Sequence, residues 1–146
     1  MTKNILISGP ISKQIILSEL EQLGKQTDAG GHSIFLGQVR ADYTGMKKVT
    51  AIEYSAYKPM VNREADKIIN NIISQFEEIK LLKIYHSVGI VMVGEISMAV
   101  LVAAVHRHEA IEACAKTVEY IKKGLPIWKR EIFEDHSYEW KQDSLA

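Results

Sequence analysis

Residues Ile96–Glu131 read ISMAVLVAAVHRHEAIEACAKTVEYIKKGLPIWKRE, and the changes of pattern inside this stretch decide the fold. Ile96–Val105 is an almost unbroken run of Met, Ala, Val and Leu, which predicts a strand covered on both faces with a neighbour on either side. After His106-Arg107-His108-Glu109 the period becomes helical. Ile111, Cys114, Ala115, Val118 and Ile121 recur on one face, with Glu112 and Glu119 elsewhere. The helix then meets Pro126, which lacks an N–H and clashes with the preceding turn, while Gly124 can take a left-handed helix end. Four cations flank this break. Lys122 and Lys123 close the helix and Lys129 and Arg130 open the next segment, so Lys122 and Lys129 can converge on one anionic ligand. Cations at a helix C-terminus also answer the macrodipole without any ligand.

Upstream, Leu81–Val88 reads as a strand joined to the buried one by a loop with Gly89 and Gly94 at its ends. Pro59 opens a scaffold helix with an apolar stripe from Val61 to Phe76. His32–Arg40 and Val49–Ser55 read as two arms of a hairpin around turn residues Ala41–Lys47. Gly37 inside the first arm points to a bulge or a close approach to the backbone. Arg40 stands where that arm meets the loop; its guanidinium can clamp a phosphate or carboxylate, or simply be solvated. Asn4–Ser8 is a short strand, and Ser12 caps a helix carrying Ile15, Ile16, Leu20 and Leu23 up to Gly24. Downstream, Ile132-Phe133, Tyr138 and Trp140 flank the polar turn Glu134–Ser137 as a last hairpin, with Trp128 and Trp140 as packing residues.

The 146 residues suit a single domain, 1–146. Lys+Arg and Asp+Glu number 18 each, so no global field draws the chain to nucleic acid or an anionic membrane, and any basic site is local. No segment has transmembrane length and the N-terminus lacks a signal-like apolar run; with one cysteine, Cys114, the expected location is cytoplasmic. Cys114 lies in the apolar stripe and reads as a small buried hydrophobe rather than a nucleophile. His106 and Arg107 precede a helix, where free N–H groups favour an anion; a cationic pair there is unfavourable without a negative partner. His106 and His108 lack a third ligand at a suitable spacing, so no metal site is assigned.

FLGQVR at Phe35–Arg40, IEYSAY at Ile52–Tyr57, VGE at Val93–Glu95, HRHEA at His106–Ala110 and IKKGLPIWKRE at Ile121–Glu131 occur in this order. Together they resemble the large catalytic subunit of molybdopterin synthase, over about Gly31 to Trp140. Two departures stand out: Ser87 follows His86 where the family commonly has Arg, and Ala104 precedes His106 by two where Ser is common.

The resemblance implies an α+β domain of the α/β hammerhead type, with a mainly antiparallel sheet and helices packed on it. It implies a sulfurtransferase of molybdenum cofactor biosynthesis. A small ubiquitin-like subunit carries a thiocarboxylate on its C-terminal Gly-Gly tail and donates sulfur to cyclic pyranopterin monophosphate, giving the molybdopterin dithiolene. No cofactor or metal is implied, and the assembly is a homodimer within a heterotetramer. By the family match Lys122 and Lys129 are catalytic. Gln38, Val39, Arg40, His106, Arg107, Lys122, Lys129, Arg130 and Glu131 bind substrate. Among clustered cations one lysine can act as general base while another stays charged. A helix over residues 108–123 separates its ends by roughly 22 to 24 Å, so a site using both His106 and Lys122 must draw them from two protomers. A non-catalytic binding module for an anionic ligand, a structural partner of a ubiquitin-like protein and a thiol relay through Cys114 are the rival readings.

Overall fold

The computed structural model describes residues 4–141. The ends of the expected domain, 1–3 and 142–146, lie outside the described residues. In chain order the elements are β1 (Leu6–Ser8), α1 (Lys13–Gly24), β2 (Gly31–Gln38), β3 (Tyr43–Thr44), β4 (Lys47–Ala56) and α2 (Lys58–Gln75). There follow β5 (Ile79–Met92), β6 (Ile96–Ala104), α3 (Arg107–Gly124), β7 (Ile127–Phe133) and β8 (Tyr138–Lys141). The sheet runs β2-β6-β5-β4-β7-β8, antiparallel at each step, with β1 added parallel to β5 and β3 paired to β4. This is the expected α+β class with a mainly antiparallel sheet. No described helix is long and apolar enough to cross a membrane.

The uninterrupted apolar run does what its composition requires. Ala99 to Ala104 are all 0% exposed, because β6 has β2 and β5 at its edges and helices over both faces. Met98, Val100 and Val102 point into a core shared with Val61, Ile68 and Ile72 of α2 and Ala113, Cys114 and Ile121 of α3. Ala99, Leu101 and Ala103 point the other way, against Ile11 and Leu23 on the α1 side. Each fully buried Val or Leu contributes about 1.5–3 kcal/mol, so β6 is the stabilising spine.

Four expectations are corrected. β2 and β4 do not form a hairpin: β2 pairs with β6 from Gly31↔Ala104 to Gln38↔Ile96, and β4 lies between β5 and β7. A fully apolar β6 needs a ladder at each edge, and β2 fills one of them. The expected turn chemistry survives on a smaller scale, where Gly45 at φ 64° closes the β3–β4 ribbon. Second, Gly89 is not in a loop. At φ 88° it redirects β5, whose first part pairs with β6 as far as His86↔Met98 and whose last part pairs with β4 from Gly89↔Tyr54 to Met92↔Ala51. Third, Gly124 is not left-handed; it ends α3 with ordinary backbone, and Leu125 leaves the helix at φ −78°, ψ 127°. Pro126 imposes that extended conformation on the residue before it. Fourth, Trp128 and Trp140 are each 54% exposed and so are not core packing residues.

Candidate active site

The break after α3 sets the geometry of the site. α3 runs down to Lys122, Leu125 and Pro126 turn the chain, and β7 returns along β4 with Tyr54 opposite Lys129. Lys122 and Lys129 thereby line one cleft of about 470 Å³. Gln38, Val39, Arg40 and Glu131 line the same cleft. The expected bulge falls between Gly37 and Gln38, where the β2–β6 register shifts, so the strand turns Gln38, Val39 and Arg40 into the cleft wall. Val39 is 2% exposed, and its backbone is tied to the β5–β6 turn by N–H to Glu95 O at 3.0 Å and Gly94 N–H to its own O at 2.9 Å.

The cleft's charges are held in different ways. Arg40 Nε donates to Asp42 Oδ1 at 2.8 Å, which raises the guanidinium pKa further and keeps it charged, with most of the side chain in water. Glu131 is 9% exposed; it accepts from Thr44 Oγ1 at 2.7 Å and faces Lys141 Nζ at 3.4 Å. It therefore ties β3, β7 and β8 together beneath the lysines. Apolar residues, among them Phe35, Met98, Ile121 and Leu125, complete the walls. The result is a cleft with mixed walls in which Arg40, Lys122, Lys129 and Lys141 outnumber Asp42 and Glu131, suited to an anion.

Three of the expected substrate-binding residues stand apart from this cleft within one chain. Arg130 alternates with Lys129 and Glu131 and so faces the opposite side of β7, where it pairs with Glu53 at 2.6 Å and lies 4.0 Å from the Tyr138 ring centroid. His106 and Arg107 begin α3, some 15 residues and about 22 Å before Lys122, and line a separate surface hollow with Ile111. The negative partner that such a cationic pair calls for is present on the same chain: His106 Nδ1 lies 2.9 Å from Glu78 Oε1. Cys114 is buried 3.9 Å from Val100 O, and burial pushes its thiol pKa up, away from a thiolate nucleophile. No group of three or more His, Cys, Asp or Glu capable of holding a metal occurs among the described residues.

Several cleft residues escaped the sequence reading: Asp42, Tyr54, His86, Ser97 and Lys141. Two carried a usable signal, since alternation in β4 and β8 sets Tyr54 and Lys141 on the Lys129 face once the β4–β7–β8 register is known. His86 carried none, because its place depends on the bend at Gly89.

Comparison with known proteins supplies the context. The family model described as MoaE protein matches residues 11–124. A Drosophila erecta protein named molybdopterin synthase catalytic subunit is 35% identical over 139 residues, covering 94% of this chain and 36% of that protein. Its namesake from Rattus norvegicus is 34% identical over 132 residues, covering 90% of this chain and 65% of the rat protein. The chain thus spans between about a third and two-thirds of these two relatives' length. Among solved structures, molybdopterin synthase from Staphylococcus aureus superposes with a TM-score of 0.82 at 27% identity, over 97% of this chain and 98% of that one. The complex of subunits 1 and 2 of molybdopterin-converting factor from Helicobacter pylori shares the fold, with a TM-score of 0.78 at 20% identity over 94% and 89% of the two chains.

Proposed function

The chain belongs to the MoaE protein family, and on that premise we propose that it is the catalytic subunit of a molybdopterin synthase, working in the cytoplasm. Its substrate is cyclic pyranopterin monophosphate, and its partner is a small ubiquitin-like subunit whose Gly-Gly tail ends in a thiocarboxylate. The observation that carries this reading is the convergence of Lys122 and Lys129, from either side of the Pro126 break, on one cleft that Arg40 also lines. Both substrates are anions, and a neutral chain with a local cationic slot suits them better than a global field does.

In this reading the thiocarboxylate end enters along the apolar wall and meets Lys122. Lys129 handles proton transfer at the pterin, since an ammonium can give up a proton and a guanidinium cannot. Arg40, Gln38 and the backbone of Val39 hold the phosphate-bearing end, and each charge-assisted contact contributes about 1.5–3 kcal/mol. Glu131 serves by positioning the cleft floor. Arg130 acts at one remove, by bracing β7 through Glu53. His106 and Arg107 reach the site from the second protomer of a homodimer, which sits inside a heterotetramer with two small subunits.

The test supplies a thiocarboxylated ubiquitin-like protein and the cyclic pterin and assays dithiolene product. Lys122→Ala and Lys129→Ala should each reduce turnover by a larger factor than they weaken pterin binding. Equal losses in both would favour a non-catalytic anion-binding module. For the shared site, Lys122→Ala protein mixed with Arg107→Ala protein should regain activity above either alone; no recovery sinks the two-protomer arrangement.

A further inference from the structure

His86 is the one imidazole among the described cleft residues, and its surroundings fix its chemistry. It is 9% exposed, on β5 just before the bend at Gly89. Its Nδ1 lies 2.9 Å from Ser87 O. A carbonyl oxygen only accepts, so Nδ1 carries the proton and the basic lone pair of the neutral ring is on Nε2. The ring stands edge-on to Tyr54, with centroids 5.1 Å apart and planes at 80°. The Tyr54 hydroxyl in turn donates to Ser97 Oγ at 3.1 Å, which pins the tyrosine between β4 and β6. Tyr54 is also the direct cross-strand neighbour of Lys129. The imidazole is thus held with Nδ1 as the donor, against the tyrosine that neighbours Lys129 across the β4–β7 ladder, in a cleft that two anionic substrates would fill.

Resting on the sulfurtransferase reading, we propose that His86 is the general base that releases the sulfur carrier from the pterin. Once the thiocarboxylate sulfur has bonded to the pterin, carrier and pterin are joined as an acyl thioester. Release consumes one water. Its oxygen bonds to the acyl carbon while one of its protons passes to His86 Nε2. The C–S bond then breaks with its electron pair leaving on sulfur, and the acid so formed loses its remaining proton to bulk water. The products are the carrier carboxylate, a pterin thiolate and an imidazolium that returns its proton to solvent. The other charged or titratable groups facing this space are Arg40 and Asp42 after β2, Lys122 on α3, Lys129 and Glu131 on β7, and Lys141 on β8, with Tyr54 on β4. Among these residue types a neutral imidazole is the one that offers a basic nitrogen without first losing a proton.

The experiment is a single-turnover reaction of the complete enzyme with thiocarboxylated partner and cyclic pterin, quenched and read by intact mass at several pH values. Wild-type enzyme should release carrier carboxylate with a rate limb that rises with pH as the base loses its proton. His86→Asn keeps an amide N–H for Ser87 O but has no basic nitrogen. It should lose that limb, hydrolyse the adduct about 100-fold more slowly and accumulate the carrier–pterin mass. His86→Gln is the second variant should the first not fold. Adduct hydrolysis at the wild-type rate with an unchanged limb in either variant overturns the role of His86. So does a wild-type profile without a rising limb, whatever the variants do. A wild-type enzyme giving neither adduct nor dithiolene with a competent partner removes the sulfurtransferase reading, and the His86 role with it. Product formation with no His86 effect removes the His86 role alone.

Discussion

Replacing Glu131 separates a residue that only contacts substrate from one that builds the cleft. Glu131 accepts a 2.7 Å hydrogen bond from Thr44 and lies 3.4 Å from Lys141. The first is charge-assisted and largely shielded, with the Glu131 side chain 12% exposed, and is worth about 1.5–3 kcal/mol. The second involves a Lys141 side chain 33% exposed and contributes less than about 1 kcal/mol after solvent screening. Glu131→Ala opens onto the cleft, so water refills the space and no closed-cavity cost is added. The expected loss is about 2–3 kcal/mol. At roughly 2.1 cal/mol/K per residue over 146 residues, this lowers Tm by about 6–10 °C. Glu131→Gln keeps an acceptor for Thr44 and should lose only about a third of that. Differential scanning calorimetry of both variants gives the ordering, and a Thr44→Val/Glu131→Ala cycle should show coupling of about 1 kcal/mol or more. A Glu131→Ala protein melting within about 2 °C of wild type would refute the reasoning and leave Glu131 a ligand contact alone.

Two further predictions concern stability. The Tyr85 hydroxyl is pushed up to about 12 by burial, by donating to Glu19 and by the negative charge there. Because the folded pKa is raised above its ordinary value near 10, that contribution is complete below about pH 10 and is lost as pH climbs towards 12; urea unfolding across this range should fall less steeply for Tyr85→Phe, and identical slopes would contradict it. Gly124 is a helical residue with nothing within 4 Å of an added Cβ, so Gly124→Ala should stabilise the chain by about 0.4–1 kcal/mol in thermal melts, and a lower Tm would mean the glycine does take a left-handed form in solution.

The local rules in the chain were legible because they act over a few residues. The apolar run of β6, the helical period of α3, the stop at Pro126 and the last turn between β7 and β8 each depend on near neighbours. So does the bulge at Gly37, which a missing side chain announces. From these alone Lys122 and Lys129 follow as a pair flanking a forced turn, and the family resemblance adds Gln38, Val39, Arg40 and Glu131 around it.

Pairing partners were another matter, because a strand's period says which side chains share a face but not which edge it will meet. Val49–Ser55 looked like the return arm of β2, yet β2 lies at the far edge beside β6, with β6 and β5 both standing between it and β4. Only the assembled sheet decided that β5 bends at Gly89 from one partner to another, which carries His86 into the cleft. It also decided that Arg130 faces away from Lys129 towards Glu53, and that His106 has Glu78 beside it. The sequence alone settled the apolar strand β6, the helical period of α3 and the cationic turn, which are short-range steric and periodic effects. Tertiary structure chose the neighbours, because satisfying every buried backbone group along β6 is a demand that no local segment can express.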